Sequence, residues 1–276
     1  MLHSRTQGTP LSYWRFGVAV LASFLIVPSA AIILRRLQAS LLAPPNASLS
    51  ALELAARLDP ANESFPIRIA QSLQDLGRNP LPAWQRALAV TPRNGLALTQ
   101  AAIAAELSGD LPLAERLLQQ SARTNQLWLP RWSLANFYYR RGQYPLTLHW
   151  AALALQRAYG DRTALFRLCR QAGASPSKIL QLIRPADTEN LAALTYFLTG
   201  EGGPAPEALD SAATAFLSAI RHSPAPPQAA LGPALSAINW FLGAADAHHA
   251  IRLWNSLASF HLHSHPLINF HNHPIK

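Results

Sequence analysis

With a single cysteine, Cys169, in 276 residues, the chain has no intramolecular disulfide to staple it. Acidic residues are scarce as well: 14 Asp and Glu stand against 23 Lys and Arg, and charged residues make up only 13% of the chain. So few carboxylates leave general acid/base catalysis hard to staff. No phosphate-binding glycine loop, paired zinc motif, nucleophile elbow or carboxylate pair in a sensible context occurs. Alternating β-branched runs are nearly missing, and with them the signature of strands. The expectation is therefore a non-enzyme without a cofactor.

What is present is apolar and helical. At 50% hydrophobic the chain is long enough for a large core or two domains and far too apolar for general disorder. Its net charge of +9 is concentrated. Between Arg116 and Arg184, ten Arg and one Lys face a single acid, Asp161, a local +10, whereas the flanking segments carry nine basic and seven acidic residues before it and three and six after it. A confined positive field suits an anionic partner such as a phosphorylated lipid, an acidic glycan or nucleic acid; an arginine-rich solvated surface accounts for it equally well.

From Phe16 to Leu34, nineteen residues run without a charge. At about 1.5 Å per residue, they match the hydrocarbon thickness of a bilayer. Tyr13 and Trp14 stand at one edge and Arg35-Arg36 at the other. The pattern predicts a transmembrane signal anchor over residues 16–36, after a short tail at 1–15 and before a tether at 37–50. A cleaved signal peptide is the alternative, since Ser29-Ala30-Ala31 offers small residues at a cleavage position. The arginines on the two sides balance, so charge does not orient the segment. A short tail and a large following domain favour single-pass insertion in a bacterial inner membrane with the helical part in the periplasm.

After the tether, Pro and Gly punctuate helical patterns at a fixed period. Pro60 and Pro92 are 32 apart; Gly77, Gly109 and Gly142 are spaced 32 and 33. Two interleaved series with one period mean a repeated helix-turn-helix unit. The stretch "LANFYYRRGQYPLTLHWAALAL" shows it best: Leu134-Ala135, Tyr138 one turn on, Gly142 at the turn, then Ala151 and Ala154. The preceding units supply Ala101-Ala102, Gly109, Ala114 and Leu118, and before them Ile69-Ala70, Leu73, Gly77, Trp84, Ala87 and Pro92. On these residues the chain resembles the tetratricopeptide repeat family across residues 51–158, with "ALELAARLDP" as the second helix of an incomplete first unit and Thr147 where the family usually has alanine. The resemblance implies an all-α repeat solenoid. Small residues let helices approach while Leu134 and Tyr138 fill the seam, and stacked units share one core. Residues 159–260 continue as divergent helical repeats, beginning with a helix capped by Asp161 and ended by Gly173, and 261–276 form a His-rich tail.

The segment Leu129–Leu155 gathers Trp132, Phe137, Tyr138, Tyr139, Tyr144 and Trp150 around Arg140-Arg141. Helical spacing assigns Leu134, Ala135 and Tyr138 to packing and leaves Trp132, Asn136 and Arg140 on another face. In the family that face of the first helix lines the partner groove, so the resemblance implies a groove site at Trp132, Asn136 and Arg140, extended by Phe166 and Arg170 on the next helix. Arg can clamp carboxylate or phosphate, and Asn can bond the amides of an extended chain. Packing of Trp132 against the preceding unit is the competing account. Cys169, on an apolar helix without a partnering histidine, reads as a buried, inert thiol. His261, His263, His265, His271 and His273 are weak metal candidates, because alternate histidines without cysteines match no closed zinc site.

The combined expectation is a membrane-anchored, non-enzymatic repeat scaffold for protein partners in an envelope assembly. The alternatives are an anionic glycan or lipid binder through the basic region and a metal-dependent factor using the tail. Nucleic-acid binding ranks last.

Overall fold

In a computed structural model, residues 11–221 and 231–264 are described, and among them every regular element is a helix. In chain order these are α1 (Leu11–Leu42), α2 (Leu49–Leu58), α3 (Ser64–Asp75), α4 (Leu81–Val90), α5 (Gly95–Leu107), α6 (Leu111–Thr124) and α7 (Trp128–Arg140). Then come α8 (Tyr144–Leu155), α9 (Thr163–Gln171), α10 (Pro176–Gln181), α11 (Thr188–Thr199), α12 (Pro206–Arg221), α13 (Gly232–Gly243) and α14 (Ala247–Ser264). The contacts divide the chain into two compact units, residues 1–117 and 118–276.

The repeat follows from one recurrent turn. Helices α3, α5, α7, α9 and α13 all end in a residue with φ in the left-handed region: Gly77 at 66°, Gly109 at 82°, Gly142 at 69°, Gly173 at 85° and Ala245 at 58°. In each case the next amide reaches back five residues. Arg78 bonds Leu73, Asp110 bonds Ala105, Gln143 bonds Tyr138, Ala174 bonds Cys169 and Asp246 bonds Phe241, all at 2.8–3.0 Å. The left-handed residue itself donates three residues back, as Gly142 does to Tyr139 at 2.9 Å. This double bond satisfies the last carbonyls of the helix and reverses the chain within a few residues. Helix starts are fixed just as locally. The Ser48, Asn94, Ser175 and Asp187 side chains accept from the amides of Ala51, Ala97, Lys178 and Asn190. Asp161, the cap that the sequence suggested, accepts from the Thr163 amide at 2.8 Å but stands one residue outside the N-cap, which is Arg162.

In the first unit each of α1 to α4 packs on the helix that follows, with Ala55, Ala70, Ala87, Ala97 and Ala101 fully buried where the backbones approach. In the second unit α7 packs on α8, α11 on α12 and α13 on α14, and each first helix also meets the next one: α7 with α9, α9 with α11, α11 with α13. That is the contact pattern of stacked helix pairs. Its core joins Leu155, Leu165, Phe166, Leu191, Leu194, Phe216 and Phe241 into one cluster. The all-α repeat architecture is thus present.

The N-terminus departs from expectation. Among the described residues no helix is long and apolar enough to cross a membrane, which overturns the spanning segment at residues 16–34, the anchor at 16–36 and the single-pass inner-membrane, periplasmic placement. The physical reason lies in α1 itself: it carries Pro28 within it, it does not stop at Arg35-Arg36, and its last turns are packing surface for α2, with Ala39 buried and Ala43 buried just beyond its end. The tether at 37–50 is accordingly helical up to Leu42. What remains of it is a turn held by Arg68, whose guanidinium donates to the carbonyls of Ala43 (2.7 Å), Pro44 and Pro45 (3.2 Å). Arg36 also approaches Asp59 at 3.8 Å. The end of α1 therefore supplies α2 with the helix partner that the sequence left missing.

Candidate functional site

Helix α7 sorts its side chains as its spacing predicts. Leu134, Ala135 and Phe137 are fully buried and Tyr138 nearly so, its hydroxyl accepting from Gln119 at 3.3 Å. On the other face Trp132 is half-buried against the core of the second unit. Asn136 donates its amide to the Trp132 carbonyl at 2.9 Å, and Arg140 is exposed. Trp132 and Asn136 are thus coupled, with Asn136 spending one donor on its own helix. Arg141 lies over the Phe137 ring at 5.3 Å, which fixes it as a cation on an aromatic face.

The two residues expected to extend this face from α9 are engaged elsewhere. Phe166 is 0% exposed, with its ring 5.6 Å from that of Phe197. It is a core residue, because α11 covers the side of α9 that a lone helix would leave open. Arg170 donates to the carbonyls of Gly202 and, at 3.4 Å, Glu201. Its guanidinium ties α9 to the turn between α11 and α12. Four residues of spacing placed Phe166 and Arg170 on one helix face, but the neighbouring pair decides which part of that face meets water.

The basic region is partly consumed in the same way. Arg162 is buried and donates to Gly160 (2.6 Å) and Ala158 (2.9 Å) while pairing with Glu189 at 2.5 Å. Arg167 pairs with Glu201 at 2.5 Å, which raises its affinity for the proton, and Arg184 donates to Gln156 at 2.9 Å. These arginines join one helix pair to another. A charge count by itself does not distinguish such stitches from a binding surface.

Two aromatic residues outside the expected set complete a cluster at the start of α7. Trp128 lies 6.3 Å from Trp132 with the rings tilted by 47°, and 6.3 Å from Tyr159 with the rings at 88°. Tyr159 is 70% exposed. Arg131, between the two tryptophans, donates to the Leu127 carbonyl at 2.7 Å. Burial first, and the charge of Arg157 second, push its guanidinium below the ordinary arginine value. The Trp128–Trp132 pair was signalled by its four-residue spacing; Tyr159 follows α8 and carried no local signal.

Cys169 is fully buried, and burial pushes its thiol up to about 12. It is an inert packing residue at neutral pH. Among the described residues no group of three or more His, Cys, Asp or Glu side chains is arranged to hold a metal ion. His261 and His263 fall in α14, but their side chains, and His265, His271 and His273 altogether, lie outside the described residues.

No family model matches the sequence, and no curated protein matches it. Among solved structures the chain is similar to YrrB, a tetratricopeptide-repeat protein described as having an unusual peptide-binding site, at 13% identity and a TM-score of 0.36 over 79% of this chain and 95% of that one. It is also similar to the tetratricopeptide-repeat domain of P58(IPK), at 14% identity and a TM-score of 0.27 over 78% and 79% of the two chains. At these scores neither likeness adds to what the helices of this chain show by themselves: a repeat of helix pairs closed by a common turn.

Proposed function

We propose that this chain is a non-enzymatic helical-repeat scaffold that binds a protein partner along the outer face of α7, with Trp132, Asn136 and Arg140 as the contact residues. The observation that carries this reading is the division of α7 into two faces. Packing uses Leu134, Ala135, Phe137 and Tyr138, while half-buried Trp132 and exposed Arg140 lie on the other face. An anchor ring whose body is packed and whose edge is open loses little freedom on binding, and a nearby guanidinium can select a carboxylate. The buried high-pKa thiol of Cys169 and the structural use of Arg162, Arg167 and Arg170 favour a scaffold over a catalyst.

Site-specific photo-crosslinking in the native cell tests the proposal. A photoreactive residue at Arg140 is expected to capture one dominant protein, lost when Trp132→Ala is added, while the same probe at exposed Glu207 on α12 captures none of it. Equal capture at both positions, or capture indifferent to Trp132→Ala, refutes the assignment.

A further inference from the structure

The cluster at the start of α7 has a composition that a peptide groove does not require. Three rings, Trp128, Trp132 and Tyr159, meet at 6.3 Å spacings, and the last is 70% exposed although nothing in packing demands a ring there. Arg131 sits between Trp128 and Trp132 on α7, exposed Arg157 precedes Tyr159 by two residues, and the charge of Arg157 disfavours that of Arg131. The nearby acids face other arginines: Asp161, which also accepts from the Thr163 amide at 2.8 Å, is acted on by Arg167, and Glu189 pairs with Arg162 at 2.5 Å. Aromatic faces with unneutralised guanidinium groups favour a ligand that has both a stackable apolar face and negative charge.

We infer that Trp128, Trp132 and Tyr159, together with Arg131 and Arg157, form a binding site for an acidic saccharide, a sugar chain carrying carboxylates. The C–H face of a pyranose packs on an indole or phenol ring, and the carboxylate of a uronic acid enters between the two guanidinium groups and relieves their repulsion. The arrangement disfavours a nucleic acid. A nucleic-acid base is best held on parallel faces beside a track of cations. Here the ring pairs are inclined at 47° and 88°. The site goes beyond the protein-binding face proposed for α7 and shares only Trp132 with it.

Because the sequence pI is about 10.6, any polyanion is attracted to this chain, and the test must separate stacking from charge. Isothermal titration of the full chain with oligogalacturonate should give saturable binding. Its uncharged methyl ester should bind at least ten-fold more weakly, as should a single-stranded oligonucleotide and phosphatidylglycerol vesicles. Tyr159→Ala changes no charge and removes an exposed ring; it should weaken oligogalacturonate about ten-fold while leaving the thermal midpoint and the affinity for dextran sulfate unchanged, and Tyr159→Phe should retain binding. Arg131→Gln with Arg157→Gln should erase the preference for the acid over its ester. No binding of oligogalacturonate, equal binding of the ester, tighter binding of the oligonucleotide or the vesicles, or an unchanged affinity in Tyr159→Ala would each overturn the inference.

Discussion

One substitution, glycine to alanine, should have opposite effects at two positions of this chain, and its reverse should stabilise at a third. At Gly142 the backbone φ is 69°, and a Cβ would meet nothing within 4 Å, so the only penalty is the conformation itself. An L-residue in the left-handed region costs about 1–2 kcal/mol. Replacing Gly also restricts the unfolded chain, which returns about 0.4–1 kcal/mol. Gly142→Ala should therefore destabilise by about 1 kcal/mol. Gly243 ends α13, shows no left-handed φ and is equally open, so Gly243→Ala keeps only the favourable part and should stabilise by about 0.5–1 kcal/mol. At Ala245, where φ is 58°, Ala245→Gly should remove the strain and stabilise by a few tenths to about 1 kcal/mol. Urea denaturation followed by far-UV circular dichroism reads all three, with an unchanged m-value as the sign that the same surface unfolds. A change of 1 kcal/mol corresponds to about 2–4 °C in the thermal midpoint. If Gly142→Ala is neutral or stabilising, or if Ala245→Gly destabilises, the common turn is not what closes these helices.

Two further outcomes follow from the titrating groups. Cys169, with its thiol near 12, should resist a thiol reagent at neutral pH in the native protein and react fully once urea opens α9; rapid native labelling would contradict its burial. The Asp246 carboxylate, which accepts from the His249 amide and ring, is held below its ordinary value chiefly by the amide bond. A lowered folded pKa contributes stability that is complete above the unfolded value of about 3.9 and is lost as pH falls through the folded one. Asp246→Asn should flatten the acid limb of a stability profile below about pH 4 and leave its neutral limb nearly level; an unchanged acid limb would refute the link.

The turns were legible because their chemistry is local. A left-handed residue at the end of a helix calls for glycine, so Gly77, Gly109 and Gly142 announced the period; Ala245 makes the same turn with φ 58° and left no mark in the sequence. Composition drew the N-terminal boundary wrongly. Arg35-Arg36 looked like an end, yet the residues that follow favour helix, and Ala39 and Ala43 are small enough to lie against α2. The candidate site was half legible. Spacing along α7 separated Trp132, Asn136 and Arg140 from the packing residues, but the fate of Phe166 depends on α11 and that of Arg170 on the turn after it. Tyr159 joins Trp128 from 31 residues away, a proximity that only the folded chain supplies.

The helix-closing turn and the arginine stitches also set how this chain can grow. Every bond of the turn stays within six consecutive residues, so a unit carrying it can be duplicated or deleted without rewriting its neighbours. Arg162, Arg167 and Arg170 instead reach 27 to 34 residues ahead, to partners in the next pair. An insertion between α9 and α11 would strand those partners at once. Earlier in the chain such ties are fewer, Arg68 to the carbonyls of residues 43–45 and Asn94 to Glu63, so the stitching is densest from Arg162 to Gly202: related chains of different length should keep that block whole.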